Sequence, residues 1–251
     1  MAPLAFTAPL VLACALLLTT ALMTLARGKL WADLGVRGRI VTALLLLSGA
    51  IWSGAYLVEL QASTLPVMLL AKRVRHVGML AFPGFWLALT LWRAGPDTWV
   101  KQRGLGYFLV PTILFELLAW LKPDLFWTSE QLVDIGPFQQ VDHARGPALI
   151  AFIAYWYALT ALNVSIFFRA ENVKQPGVSA LTAAGVAPLV ANTLEALGLA
   201  PIPHLNLEPY GLLVTALVAA RANGFLHFEH DRDVARGLAL QHMQDTVVLS
   251  S

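Results

Sequence analysis

Seven stretches of the chain, residues 6–25, 40–60, 74–92, 105–121, 148–168, 178–199 and 209–228, are almost continuously apolar, with short polar segments between them. Each approaches the roughly 20 residues that cross a bilayer as helix. The third and fourth are the least comfortable in length. A transmembrane barrel would alternate apolar and polar positions over about ten residues, whereas these runs are unbroken and rich in Leu and Ala. Helices also satisfy their own backbone hydrogen bonds, as lipid demands. The pattern predicts an all-α membrane protein, a seven-transmembrane helix bundle over residues 1–228, followed by a polar segment at 229–251.

Composition agrees, since 58% of the 251 residues are hydrophobic and only 13% charged, more apolar than a soluble core requires. No basic residue precedes the first run, and Arg27 and Lys29 follow it. That flank argues for a retained helix with its amino end outside. Eleven of the 17 Lys and Arg residues then fall in cytoplasmic segments, while five (Lys72, Arg73, Arg75, Lys122 and Arg145) lie outside and Arg221 lies within the last span. The bias predicts amino terminus outside and carboxyl terminus cytoplasmic. The net charge of +2 reflects that topology, and no basic patch interleaved with aromatics points to nucleic acid. Short loops and the absence of an organelle address point to a bacterial inner membrane. The single cysteine, Cys14, has no partner for an internal disulfide or thiolate cluster and reads as a small packing residue.

Polar groups inside spans are costly, so each needs an interior partner or a solvated cavity. Toward the outer half lie Glu59 at the end of span two, Arg73, Arg75 and His76 at the start of span three, Glu116 within span four, and Asn192 with Glu195 in span six. Converging, they would form a ligand pocket open to the outside, with Arg75 holding an anion and Glu116 or Glu195 answering it. The competing reading has Arg73 and Arg75 snorkelling to headgroups and Glu59 ending a helix at the interface. Asn192 and Glu195 share a helix face, and Pro188 can free a carbonyl beside them. Those features suit either a ligand contact or a clasp between helices. Asn163 in span five reads as an interhelical hydrogen bond.

Trp52, Tyr56, Phe82, Trp86, Trp120, Tyr155 and Trp156 offer an aromatic lining, although core packing or an interface belt is the commoner use of such residues. Trp52 and Tyr56 share a face that leads to Glu59 one turn further on. Pairs of small residues such as Gly49 with Ser53, Ala50 with Gly54 and Ala216 with Ala220 let helix backbones approach closely. Pro83 with Gly84, and Pro111, are candidate kinks. Between spans four and five, residues 122–147 carry apolar residues around Gly136 and Pro137, which suits a small hairpin over the mouth of the bundle.

Sharper chemistries find little support. Retinal would need a lysine in span seven, and the last lysine is Lys174. His76, His143 and His204 are scattered, and His227 with His230 fit a solvated face better than a zinc site. His242 has too little chain after it to be a kinase phosphoacceptor. With no glycine-rich phosphate loop or nucleophile elbow, no catalytic residue, metal or other cofactor is implied.

Several phrases occur in order along most of the chain: SGAIWSGAYLVEL, RVRHVGMLAFPGFWLALTLW, FLVPTILFELLAWLKPDLFW and AGVAPLVANTLEALGLAPIPHLNLEPYGLLVTALVAA. In these the chain resembles the amino-terminal seven-transmembrane sensor domain of bacterial histidine kinases. The resemblance implies a membrane-embedded, ligand-sensing part of a signal-transduction receptor, itself without catalysis. It implies a small organic or amphipathic signal as ligand, surrounding lipid, and a homodimer paired through a cytoplasmic signalling helix at 229–251. The family pattern would continue into a PAS, histidine kinase or diguanylate cyclase output domain; association with a separate protein is the other reading of DRDVARGLALQHMQDTVVLSS. The competing functional class is a small-solute transporter or channel.

Overall fold

The computed structural model describes residues 4–26, 35–93, 105–135, 138–169, 176–200 and 205–222. Nine helices and two strands follow one another among them: α1 (Leu4–Ala26), α2 (Gly35–Gln61), α3 (Leu65–Arg93), α4 (Leu105–Leu121), α5 (Pro123–Phe126), β1 (Trp127–Ile135), β2 (Phe138–Arg145), α6 (Pro147–Arg169), α7 (Pro176–Ala184), α8 (Ala187–Ala196) and α9 (Glu208–Ala222). In their described residues the seven apolar runs are largely helical. Four stretches, Leu4–Ala26, Val36–Gln61, Leu65–Trp92 and Pro147–Phe168, are long and apolar enough to cross a membrane. The sixth run is divided into α7 and α8, and α4 and α9 are shorter. The expected signalling helix at 229–251, the turn at Gly136 and Pro137, and His204, His227, His230 and His242 lie outside the described residues.

Helical periodicity decides which side of each element faces the bundle. In α1, Leu10, Ala13, Leu17, Ala21 and Thr24 form one buried stripe, while Val11, Leu18, Leu22 and Leu25 on the other side stay exposed. Apolar residues on both sides are what a helix between bundle and lipid requires. Hydroxyls within the spans bond backward to carbonyls four positions earlier, including Thr24 to Thr20 at 2.8 Å, Ser53 to Gly49 at 2.9 Å and Thr160 to Trp156 at 2.9 Å. The three donating hydroxyls are thereby satisfied, whereas the Thr20 hydroxyl is buried without a partner among the described residues.

The core runs through α2, α3, α6, α7 and α9. Trp52 meets Phe82 and Trp156 edge-on, with ring centroids 5.9 and 5.8 Å apart. A β-carbon on Gly78 would lie 2.4 Å from the Ser48 carbonyl oxygen and 2.6 Å from the Trp52 nitrogen, so α3 crosses α2 backbone to backbone at a point only glycine permits. Cys14 is a packing residue as expected, its Sγ donating to the Ala50 carbonyl at 3.5 Å. Asn163 departs from expectation: it is buried, and both polar atoms of its amide lack a hydrogen-bond partner among the described residues.

The sixth run breaks because Pro188 has no N–H to give to the Ala184 carbonyl four positions earlier. That carbonyl accepts instead from Thr215 Oγ1 of α9 at 2.9 Å, so the freed acceptor ties α7 to α9. Farther on, α8 closes with Gly198 at φ 71° and the Leu199 N–H bonded to the Leu194 carbonyl at 2.9 Å. A left-handed glycine and that bond are the usual way to turn a chain out of a helix.

Beside the helices stands an antiparallel pair, β1 with β2, whose register sets Leu132 opposite Val141 and Ile135 opposite Phe138. It is the hairpin that the apolar pattern around Gly136 and Pro137 suggested. Strand β2 lies against the bundle, with Gln140 and Val141 buried. At its base the Gly146 N–H bonds the Phe126 carbonyl at 2.7 Å. The end of α2, the start of α3, the hairpin and the start of α9 meet at one end of the bundle, joined by Tyr56 to Gln140 and by the Asn206 N–H to Tyr56. The start of α1 is there too, with Leu10 packed against Tyr56, Leu60 and Leu205.

Candidate functional site

The third span proves longer than its hydropathy suggested. Helix α3 begins at Leu65, so Lys72, Arg73 and Arg75 lie well inside a helix instead of in a loop. Two residues along a helix turn the side chain by about 200°, and the neighbours therefore part company. Arg73 is exposed, while Lys72, Arg75 and His76 are buried. The anticipated role of Arg73 in a pocket is thereby corrected.

The short link between α2 and α3 makes them antiparallel, which sets Glu59 in the last turn of one across from Arg75 in the other. Arg75 Nη1 lies 3.0 Å from Glu59 Oε2, with the side chains 3% and 0% exposed. That burial argues against snorkelling by Arg75 and against an interfacial Glu59, while the exposed Arg73 remains compatible with the snorkelling reading. The Arg75 guanidinium also sits over the Tyr56 ring, 5.2 Å from its centroid, and the Lys72 ammonium over the Trp127 ring at 5.3 Å. Aromatic faces and a carboxylate together hold the cations that lipid would otherwise penalise.

A second polar group forms where α6, α8 and α9 meet. Asn192 Nδ2 donates to Glu208 Oε1, and Asn192 Oδ1 accepts from the Tyr157 hydroxyl at 3.2 Å. Glu195 Oε2 accepts the Leu207 N–H at 3.1 Å, satisfying a donor at the start of α9 that has no partner within the helix. The clasp expected of Asn192 and Glu195 is therefore present.

Between these two groups lies a cavity of about 290 Å³. Its lining combines polar residues, among them Arg75, His76, Arg145, Asn192, Glu195 and Glu208, with the apolar Met79, Leu149, Phe152, Ile153 and Trp156. Of the residues singled out from sequence, Arg75, His76, Asn192 and Glu195 are thus brought together. Tyr56 and Glu59 stand behind Arg75 as its supports. Trp52 is a core residue, and Glu116 is elsewhere: it is half-buried on α4 and accepts a bond from Trp120 Nε1 at 2.7 Å. Among the described residues the fourth span contributes none to the cavity lining, and α6, α9 and the hairpin take its place.

Sequence reasoning missed Gln140, Arg145, Asn206 and Glu208. Glu208 carried a signal, since a carboxylate followed at once by Pro209 is a common start to a helix, and an acidic start pointing back into the bundle has to find donors.

Residues 10–223 match the family model for the N-terminal 7TM region of histidine kinase. The chain belongs to that family. A search among curated proteins finds no match. In this histidine-kinase membrane region the matched residues include every helix and strand from which the cavity is built.

Proposed function

We propose that this domain is the ligand-sensing part of a bacterial signal-transduction receptor. It binds a small organic or amphipathic signal in the cavity and passes the event to a cytoplasmic output domain. The observation that carries the reading is the cavity itself, whose lining combines charged residues with aromatic and aliphatic ones at one end of the bundle. Such a lining suits a compound with a polar head and an apolar body. The hairpin end faces outward and the domain sits in the inner membrane, a reading supported by the excess of Lys and Arg that the sequence carries in segments 26–39, 93–104 and 169–177. Transmission runs through the clasp, whose Asn192 and Glu195 join α8 to α9, the helix that leads to the carboxyl side. Pairing through residues 229–251 makes the receptor a homodimer.

The test uses the purified domain in lipid nanodiscs and a library of acidic, basic, zwitterionic and neutral amphipathic metabolites. At least one compound raises the unfolding temperature by mass action, and Ile153→Trp, which fills the cavity, abolishes the shift. A library in which no compound acts, or acts equally on the variant, sinks the reading. Proteoliposomes separate the transporter class: a sensor binds the compound without carrying it across.

A further inference from the structure

The charges on the cavity wall are mixed, and the mixture restricts what can bind. Glu195 and Glu208 lie within electrostatic reach of each other, and both line the cavity. Glu208 is buried and Glu195 partly so, and two carboxylates so placed repel unless a cation or proton lies between them. The nearby guanidiniums are those of Arg75 and Arg145, and Arg75 already faces Glu59 at 3.0 Å. A purely anionic ligand would meet the two carboxylates, and a purely cationic one the two guanidiniums. A ligand carrying both charges a few ångströms apart matches both pairs.

Glu208 Oε1 takes Asn192 and Glu195 Oε2 takes the Leu207 N–H, and an ionised carboxylate can accept at about four sites. In the same lining, Phe152 and Trp156 are buried and offer apolar surface. At about 290 Å³, the cavity is at the small end of ligand sites, suited to one ring or a short branched chain.

Resting on the proposed sensing role, we infer that the ligand is a small zwitterion with an apolar side chain, an α-amino acid bearing an aromatic or branched aliphatic group. Its ammonium lies between Glu195 and Glu208, its carboxylate meets Arg145 and the cavity side of Arg75, and its side chain rests on Phe152 and Trp156.

Calorimetric titration of the nanodisc-embedded domain with L-phenylalanine, phenethylamine and 3-phenylpropionate tests this. Phenylalanine binds, and each compound lacking one charge binds about ten-fold more weakly or worse, the scale of one lost charge-assisted bond. The variants cross over: Arg145→Gln weakens phenylalanine but leaves phenethylamine within about two-fold, and Glu195→Gln weakens phenylalanine but leaves phenylpropionate within about two-fold. A merely structural role for either residue would weaken all three alike and would overturn the assignment. Equal binding of one single-charge compound and phenylalanine also overturns it. If phenylalanine and leucine fail while a neutral or singly charged library member binds, the zwitterion is wrong and the sensing role stands. If nothing in the library binds, the sensing role itself falls.

Discussion

Helices α2 and α4 each carry a glutamate in an apolar sequence, and the bundle treats the two differently. Glu59 on α2 is fully buried and faces Arg75 of the next helix. Glu116 on α4 is half-buried and, among the described residues, bonds Trp120, one turn along its own helix. The difference lies in the neighbours. Helix α2 packs against α1, α3 and α9, whereas α4 packs against α3, the short α5 and only slightly α6, with Val110, Ile113, Leu114 and Leu117 exposed. A carboxylate in a span thus becomes part of a charged interior only where a second helix can bring a cation to it; on a peripheral helix it settles with a local donor.

The contrast can be broken most severely at Glu59. Glu59→Ala leaves Arg75 buried without its carboxylate and should cost about 3–5 kcal/mol, read from unfolding in detergent. The double replacement Glu59→Gln with Arg75→Met should recover most of that loss; if it does not, the ion pair is not what makes the site sensitive. Next comes the α2–α3 crossing: Gly78→Ala would press on backbone of Ser48 and Trp52, atoms unable to swing aside, and should destabilise by about 1–3 kcal/mol. Thr215→Val removes the hydroxyl that serves the Ala184 carbonyl and should cost about 0.6 kcal/mol, the mean for interhelical hydrogen bonds in membranes. At the far end of the scale, Glu116→Gln keeps an acceptor for Trp120 and should change stability by less than about 0.5 kcal/mol. A loss as large as that of Glu59→Ala would mean that α4 is as central as α2.

Much of the scaffold could be read along the chain because lipid makes hydropathy nearly synonymous with helix. The seven runs, the hairpin at 127–145, and the carbonyl released by Pro188 were all legible as local signals. The site was legible only in part. Glu59, Arg75, Asn192 and Glu195 stood out because a charge or amide within an apolar run has to be answered. Arg73 and Arg75 looked equivalent until the helix start at Leu65 fixed which of the two turned inward. Trp52 shared a face with Tyr56, yet the rings of Phe82 and Trp156 claimed it for the core. Arg145 and Glu208 lay at the ends of apolar runs, where a charge costs nothing and so announces nothing; only the meeting of β2, α6 and α9 gives them a cavity to line.

The bond from the Asn206 N–H to the Tyr56 hydroxyl spans 150 positions, and it sets an order of assembly. A ribosome adding about 5–20 residues per second takes on the order of ten seconds to travel that distance. For the later part of that interval Tyr56 and its neighbours have left the ribosome while α9 does not yet exist. Glu59 and Arg75, only 16 positions apart, can neutralise each other as soon as the α2–α3 pair enters the bilayer, so the nascent chain carries its buried charges as a matched pair until the last helix arrives to complete the chamber.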